Sequence, residues 1–441
     1  MLDTISSCLV GLVYVFLALL GSELCCCGLP GKTPQHPSIK VYGCSTRWCV
    51  FLGVLYAFIY FSTDQYIPSL PAMQLELGGS QGFMTGAVQM NLCVKAISGM
   101  LTAGLSDRVG RRPVLVMCTF LLSVASLCCG GAGCIGWFMG AQVLQAIGES
   151  MEPVLFAMVR DCFSDSSQRF TMIAALQMMA FVGIAVAPVF GGFSMQLASW
   201  RVSFFVLAVI WGIFAIVASF MVESCPDTEK HQSYCKDLSR ILDSHCLCLL
   251  LTESFIMSAY FTFNANVSYL AESVFGQSEM MSAAIMLLFG VVNGIGAFLI
   301  DRLRLGLLRS AQLALTFLTL SGLVSLVLGS ILPESMWLGY ILGSILQASG
   351  LMMGLVSVNV LFFEPLQDCA GMAASFEILA QSVVPSIWSA VSTQFLIHDG
   401  SRGLTIFQAV ACALAGLTFW VGYGCNPPRA IPTMKEPLLT P

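Results

Sequence analysis

Between Arg47 and Gly424 the chain holds twelve apolar runs, each close to the roughly 20 residues a helix needs to cross a bilayer. Their approximate limits are 47–70, 84–105, 113–133, 137–159, 170–195, 201–222, 246–270, 281–300, 309–332, 336–361, 371–396 and 403–424. Hydrocarbon offers no water to backbone N–H and C=O groups, so runs of this kind have to fold as helices that satisfy those groups internally. With 57% hydrophobic and 10% charged residues, and a mean hydropathy of +0.84, the chain lies outside the range of soluble domains. The expected fold class is an all-α, multi-pass integral membrane protein of twelve helices.

The longest polar stretch, Glu223 to His245, carries Glu223, Asp227, Glu229, Lys230, Lys236, Asp237, Arg240 and Asp243. It divides the chain six plus six: an extension at 1–46, an amino-terminal half at 47–222, a central cytoplasmic loop at 223–245, a carboxy-terminal half at 246–424 and a tail at 425–441. Placing the start of the first run in the cytoplasm puts 16 of the 19 Lys and Arg residues on the inner side, as positive-inside topology requires. Arg201 and Arg402 fall outside, and Lys95 alone lies within a span. Residues 8–22 form a further, shorter apolar run. It reads as an extra helix with its amino terminus outside, or as an interfacial or lipid-anchored segment.

A net charge of −5 is mild, and nothing suggests nucleic-acid binding. The 19 cysteines fall mostly in apolar runs or cytoplasmic loops and read as small buried apolar residues, not disulfides. His245, Cys246 and Cys248 open an apolar helix without a second ligand pair, so no metal is expected. No HExxH, GxSxG or phosphate-cradling glycine motif stands in a suitable context, and an enzyme is not expected.

Between the second and third runs lies GLSDRVGRRP, Gly104 to Pro113, and the first run ends in STDQYIPSLP, Ser62 to Pro71. The fifth run carries Gly183, Ala187, Pro188, Gly191 and Gly192, followed by Trp200 and Arg201; Asn359 and Ala370 to Ser375 come late in the chain. In this order the motifs resemble the major facilitator superfamily, and within it the bicyclomycin-resistance (Bcr/CflA) type of drug:proton antiporter. The resemblance covers about residues 47–424. It implies a twelve-helix fold of two six-helix halves, a small-molecule substrate, protons and the bilayer as partners, a proton gradient in place of any cofactor, and a monomer. It also implies that Asp107, Arg108, Arg111, Arg112 and Asp161 form a cytoplasmic charge cluster that latches the halves in one state; the alternative is a solvated positive-inside anchor. Gly183, Pro188, Gly191 and Gly192 match the antiporter-type helix motif. Two departures stand out: Ala103 replaces the opening glycine of the loop motif, and Gln142 replaces a buried arginine of the fourth helix, which puts that arginine's proton-relay role in doubt.

Ionisable residues within spans are functional candidates because burying an unpaired charge is expensive. They are Asp64, Lys95, Glu149, Glu152, Glu253 and Glu377. Gln142, Gln145, Glu149 and Glu152 recur at helical spacing and form one polar stripe, which the resemblance places along the substrate path. At about 1.5 Å per residue, Glu149 and Lys95 lie at matching depths of ~18 and ~17 Å from the outer ends of their helices. They are expected to pair, leaving Glu152 for a proton or a cation. Asp64 stands ~25 Å along the first helix from Arg47, where it either titrates or braces the break at Pro68 and Pro71. Glu377 and Gln381 share a face of the eleventh helix, and Asn264 and Asn266 interrupt the seventh; all four suit a polar cavity wall. Glu253, near the cytoplasmic end, is expected only to snorkel.

Because carboxylates outnumber cations in the spans, the expected function is proton-coupled export of amphiphilic cationic or zwitterionic compounds by alternating access. The alternatives are an importer or facilitator of a metabolite with the same fold, and a non-transporting membrane sensor.

Overall fold

The computed structural model describes residues 46–163, 166–221, 240–302, 306–331 and 337–425. The apolar run at 8–22, the central loop from 223 to 239 and the tail from 426 lie outside them. The described residues are helical throughout, without a strand among them. In the amino-terminal half, α1 (Thr46–Asp64), a 3-10 turn at Ile67–Ser69 and α2 (Leu70–Leu77) make the first passage, and α3 (Gln81–Val109) and α4 (Arg111–Gly130) the next two. The fourth passage is split into α5 (Ile135–Glu149) and α6 (Glu152–Cys162); α7 (Ser166–Leu197) and α8 (Trp200–Ser219) complete the half. The carboxy-terminal half consists of α9 (Ser244–Tyr269), α10 (Glu279–Arg302), α11 (Leu307–Ile331), α12 (Trp337–Phe363) and α13 (Ala370–Cys425).

Within α13, Gly400 has φ +60° and ψ −142°, a conformation open to glycine and strained for other residues. It divides α13 into the last two passages. Among the described residues, nine segments are long and apolar enough to cross a membrane, one of them being the double passage Phe376–Gly422. The two remaining passages are α3, which carries Lys95, Asp107 and Arg108, and the interrupted α5–α6 pair. Their polarity is a clue to their place, because hydrophilic helices in a bilayer have to face protein or water. The chain is therefore an all-α membrane protein of two six-helix halves.

The breaks follow from the residues. Pro68 and Pro71 lack N–H groups and end α1 early, and Pro153 starts α6 just after Ser150 and Met151 leave the helix. Large apolar side chains such as Leu101, Phe120, Ile216, Leu320 and Ile387 point outward, while Asn91, Gln142, Gln145, Glu149, Thr252 and Gln347 are fully buried. That inversion suits a lipid surround, in which apolar surface needs no cover and polar groups need partners.

One apolar core, with Leu52, Leu122, Leu155 and Trp211, belongs to the inner part of the amino-terminal half. The larger core joins Tyr66, Phe138 and Phe204 from the outer end of that half to Phe263, Phe289 and Phe362. The halves thus share apolar packing at the outer end. Close backbone approach holds α7 in place: a Cβ on Gly183 would lie 2.2 Å from the Ala57 carbonyl oxygen, and one on Gly191 would lie 1.6 Å from that of Gln65. Gly192 in turn would meet Ala283 of α10 at 3.0 Å. The motif glycines fit α7 between the broken first passage and the opposite half.

Candidate functional site

On α1, Tyr56, Tyr60 and Asp64 recur every four residues and so share a face. The two hydroxyls donate to one oxygen of Glu152, at 2.5 and 2.9 Å. The other Glu152 oxygen meets the Lys95 ammonium at 3.1 Å, and that ammonium lies 4.4 Å from the centre of the Tyr60 ring. Lys95, Glu152 and both tyrosines form a compact knot among α1, α3 and α6. The expected Lys95–Glu149 pair is therefore corrected: Lys95 pairs with Glu152. Depth was measured along an unbroken fourth helix, whereas the break at Ser150 and Met151 re-aims everything after it.

Glu149 is left with neutral partners. Thr63 donates to it at 3.2 Å and Gln145 at 2.9 Å, and Gln145 also donates to the Ser62 carbonyl at 3.1 Å. Gln142 accepts from the Asn91 amide at 3.2 Å. All of Gln142, Gln145, Glu149 and Glu152 are buried, at 0, 0, 0 and 6% exposure. The stripe is real, but the helix break divides it into a carboxyl with only neutral donors and a carboxylate with a cation.

Asp64 ends α1 and accepts from Asn264 of the opposite half at 3.3 Å. Of the two roles open to it, bracing the break falls to other groups: Ser268 donates to the Ile67 carbonyl at 2.7 Å and Tyr269 to that of Leu70 at 3.4 Å. Gln89 donates to Ser389 at 2.7 Å, adding another bond between the halves. With the amino end of α1 inside, these contacts all fall in the outer part of the bundle. Beyond them Glu76 binds Trp200 at 2.6 Å and Arg201 at 2.8 Å, with the Arg201 guanidinium over the Trp200 ring.

In the carboxy-terminal half, Gln381 donates to Glu377 at 2.9 Å and to Glu253 at 3.3 Å, and Asn359 donates to the same Glu377 oxygen as Gln381. Glu253 is fully buried. Its expected snorkelling is corrected: it lies more than two turns into α9, facing α13, and cannot reach the interface. Asn266 accepts from Thr393 at 2.9 Å and so serves packing between α9 and α13.

At the cytoplasmic end, Arg111 meets Asp107 at 2.5 Å and Asp161 at 3.1 Å. Arg111 is buried while Arg108 is exposed, and Arg112 donates to the Ser219 carbonyl. Asp107, Arg111 and Asp161 do come together. All three belong to the amino-terminal half, where they tie α3, α4 and α6 to one another.

Tyr56, Tyr60 and Thr63 carry no formal charge and so escape a search for ionisable residues. Their sign in the sequence is the four-residue spacing that ends in Asp64. Glu253 gave a weaker sign, because its depth is plain only once α9 is known to start at Ser244.

The family model of the Major Facilitator Superfamily matches residues 51–389. YdgK, an uncharacterized MFS-type transporter of Bacillus subtilis (strain 168), is 27% identical over 266 residues, covering 57% of this chain and 64% of YdgK. The multidrug resistance protein MdtL of Shigella dysenteriae serotype 1 (strain Sd197) is 24% identical over 362 residues, covering 80% and 90% respectively. The chain thus spans just under two thirds of YdgK and most of this MdtL. Among solved structures, a bacterial homolog of the human lysosomal transporter Spinster, in an inward-facing and occupied conformation, superposes with a TM-score of 0.65. It is 14% identical over 86% of this chain and 97% of its own, a likeness of fold. Motif order, the two six-helix halves and the match over residues 51–389 lead to one conclusion: the chain belongs to the Major Facilitator Superfamily.

Proposed function

We propose that this transporter exports amphiphilic cationic or zwitterionic compounds in exchange for protons, as a member of the Bcr/CflA type. One observation carries the reading. Five carboxyls, Asp64, Glu149, Glu152, Glu253 and Glu377, share the interior with Lys95. Arg111, the other buried cation among the described residues, is engaged by Asp107 and Asp161 at the cytoplasmic end. Four uncompensated negative charges would be prohibitively costly in a low-dielectric interior. Protons or a cationic cargo have to balance them, and competition between the two for the same carboxyls is the chemistry of an antiporter.

Glu149 and Asp64 are the proton carriers in this reading, since their partners are uncharged. Glu152 instead fixes Lys95 and the Tyr56–Tyr60 face. Bonds between the halves through Asn264, Ser268, Tyr269 and Gln89 close the outer side, so cargo and protons exchange with the cytoplasm in this state. The outer side opens when those bonds break and the halves rock.

Glu149→Gln and Asp64→Asn keep the shape and an acceptor oxygen. Each is expected to fold, to bind cargo and to lose the dependence of flux on the pH gradient. Flux in vesicles checks this, and a Glu149→Gln variant with intact gradient-driven flux contradicts the assignment. The sign of the response separates export from import: export predicts cargo movement opposite to the imposed proton flow.

A further inference from the structure

We propose that Glu253 carries a resident proton and, with Glu377 as its ionised partner and Gln381 as the bridge, forms a proton site in the carboxy-terminal half, distinct from Asp64 and Glu149. The site deepens the transport reading and rests on it for what the proton is used for, though not for the proton's presence.

Glu253 on α9 has no exposed surface. Its Oε2 accepts the Gln381 amide at 3.3 Å, while its Oε1 is buried without a hydrogen-bond partner. The same amide nitrogen donates at 2.9 Å to Glu377, so two carboxyls converge on one neutral donor. Among the described residues no ion pair reaches either of them. The charged and titratable groups near enough to act on the pair are Glu152 of α6 and Tyr60 of α1, both interacting with Glu377. Lys95 of α3 lies behind Glu152 and is held by it. The neighbours on α12 and the last passage are neutral: Asn359 bonds Glu377, and Thr418 bonds Thr252, next to Glu253.

Two carboxylates sharing one site do not both ionise at tolerable cost. The geometry decides which keeps the proton. Glu377 is only partly buried and one of its oxygens accepts two amide donors, from Gln381 and Asn359, which suits a negative charge. Glu253 has one long hydrogen bond and an oxygen with nothing to accept from, which a neutral acid tolerates and an anion does not. On release, the Oε1–H bond of Glu253 breaks, the electron pair stays on the carboxylate and the proton passes to water on whichever side is open. Reprotonation restores the same neutral acid, so the cycle is balanced without any other reactant.

Infrared difference spectra of the full chain in lipid nanodiscs, taken between neutral and alkaline pH without cargo, test the proposal. The wild type is expected to show a neutral-carboxyl stretching component that shifts in heavy water, is lost at alkaline pH and does not change when choline replaces sodium. Glu253→Gln should lose that component and Glu377→Gln should keep it. The proposal is overturned if Glu253→Gln retains the component, if Glu377→Gln loses it, or if removing sodium raises its intensity, as a metal-cation site would. Glu253→Asp, which keeps an acid, guards against a folding failure: it should retain a shifted component. Because no flux is measured, a normal spectrum from a protein that moves nothing in vesicles would contradict the transport reading and leave this site standing.

Discussion

Lys95 and Glu152 show how a single buried charge commits its surroundings. Removing one partner of a buried pair costs about 3–5 kcal/mol because the other is stranded. Glu152→Gln is therefore expected to lower the thermal unfolding midpoint sharply. Lys95→Met should cost less, since Tyr56 and Tyr60 still donate to Glu152 and the carboxyl can take a proton. Differential scanning measurements in detergent check the order, and equal losses would contradict it. Asp64→Asn and Glu149→Gln should change stability little, about 1 kcal/mol or less for an exchange that keeps the hydrogen bonds, while flattening the pH dependence of flux. At this scale the sequence was partly legible. The ionisable candidates are visible as letters inside apolar runs, but partner choice is not. A shift of three residues, from Glu149 to Glu152, is settled by a helix break whose geometry no count of residues supplies.

Elements carry the positioning. α7 lies against α1 where glycine leaves room, and Gly191→Ala would drive a Cβ to within 1.6 Å of the Gln65 carbonyl oxygen. Overpacking against backbone is expected to cost at least the ~1–3 kcal/mol typical of such insertions, seen as lost expression or monodispersity. Gly86→Ala on α3, with nothing within 4 Å, should be silent in the same assay. The cytoplasmic cluster yields a second comparison. Asp107 is 58% exposed and Asp161 12%, so Asp107→Asn should cost only ~0–1 kcal/mol, and Asp161→Asn more, by the same thermal measurement. Helix limits were readable from apolar runs and prolines to within a few residues. The two broken passages were less so, because Pro68, Pro71 and Pro153 announce an interruption without saying how the chain resumes. The long helix α13 is the reverse case: a loop expected near 397–402 is reduced to a turn at Gly400, since hydrogen bonding continues on both sides of one residue.

For the whole molecule, topology follows from charge placement and the outer closure from bonds between the halves. Neither identifies the cargo. Interior carboxyls outnumber interior cations, and that imbalance links the Asp64–Glu149 site, the Glu253–Glu377 pair and the rocking of the halves into one proposal: proton uptake and cation release exclude each other. The fold was legible because the bilayer enforces a strict apolar pattern. The central site was only half legible, because its tyrosine and amide partners come from helices far apart in sequence. The most direct measurement is flux of a panel of amphiphilic cations, zwitterions and neutral compounds in proteoliposomes, with and without an imposed pH gradient. The account predicts that cationic or zwitterionic members move against the proton flow, and that an uncoupler abolishes the movement. Flux indifferent to the gradient, or no flux of any compound from a well-folded protein, would contradict it.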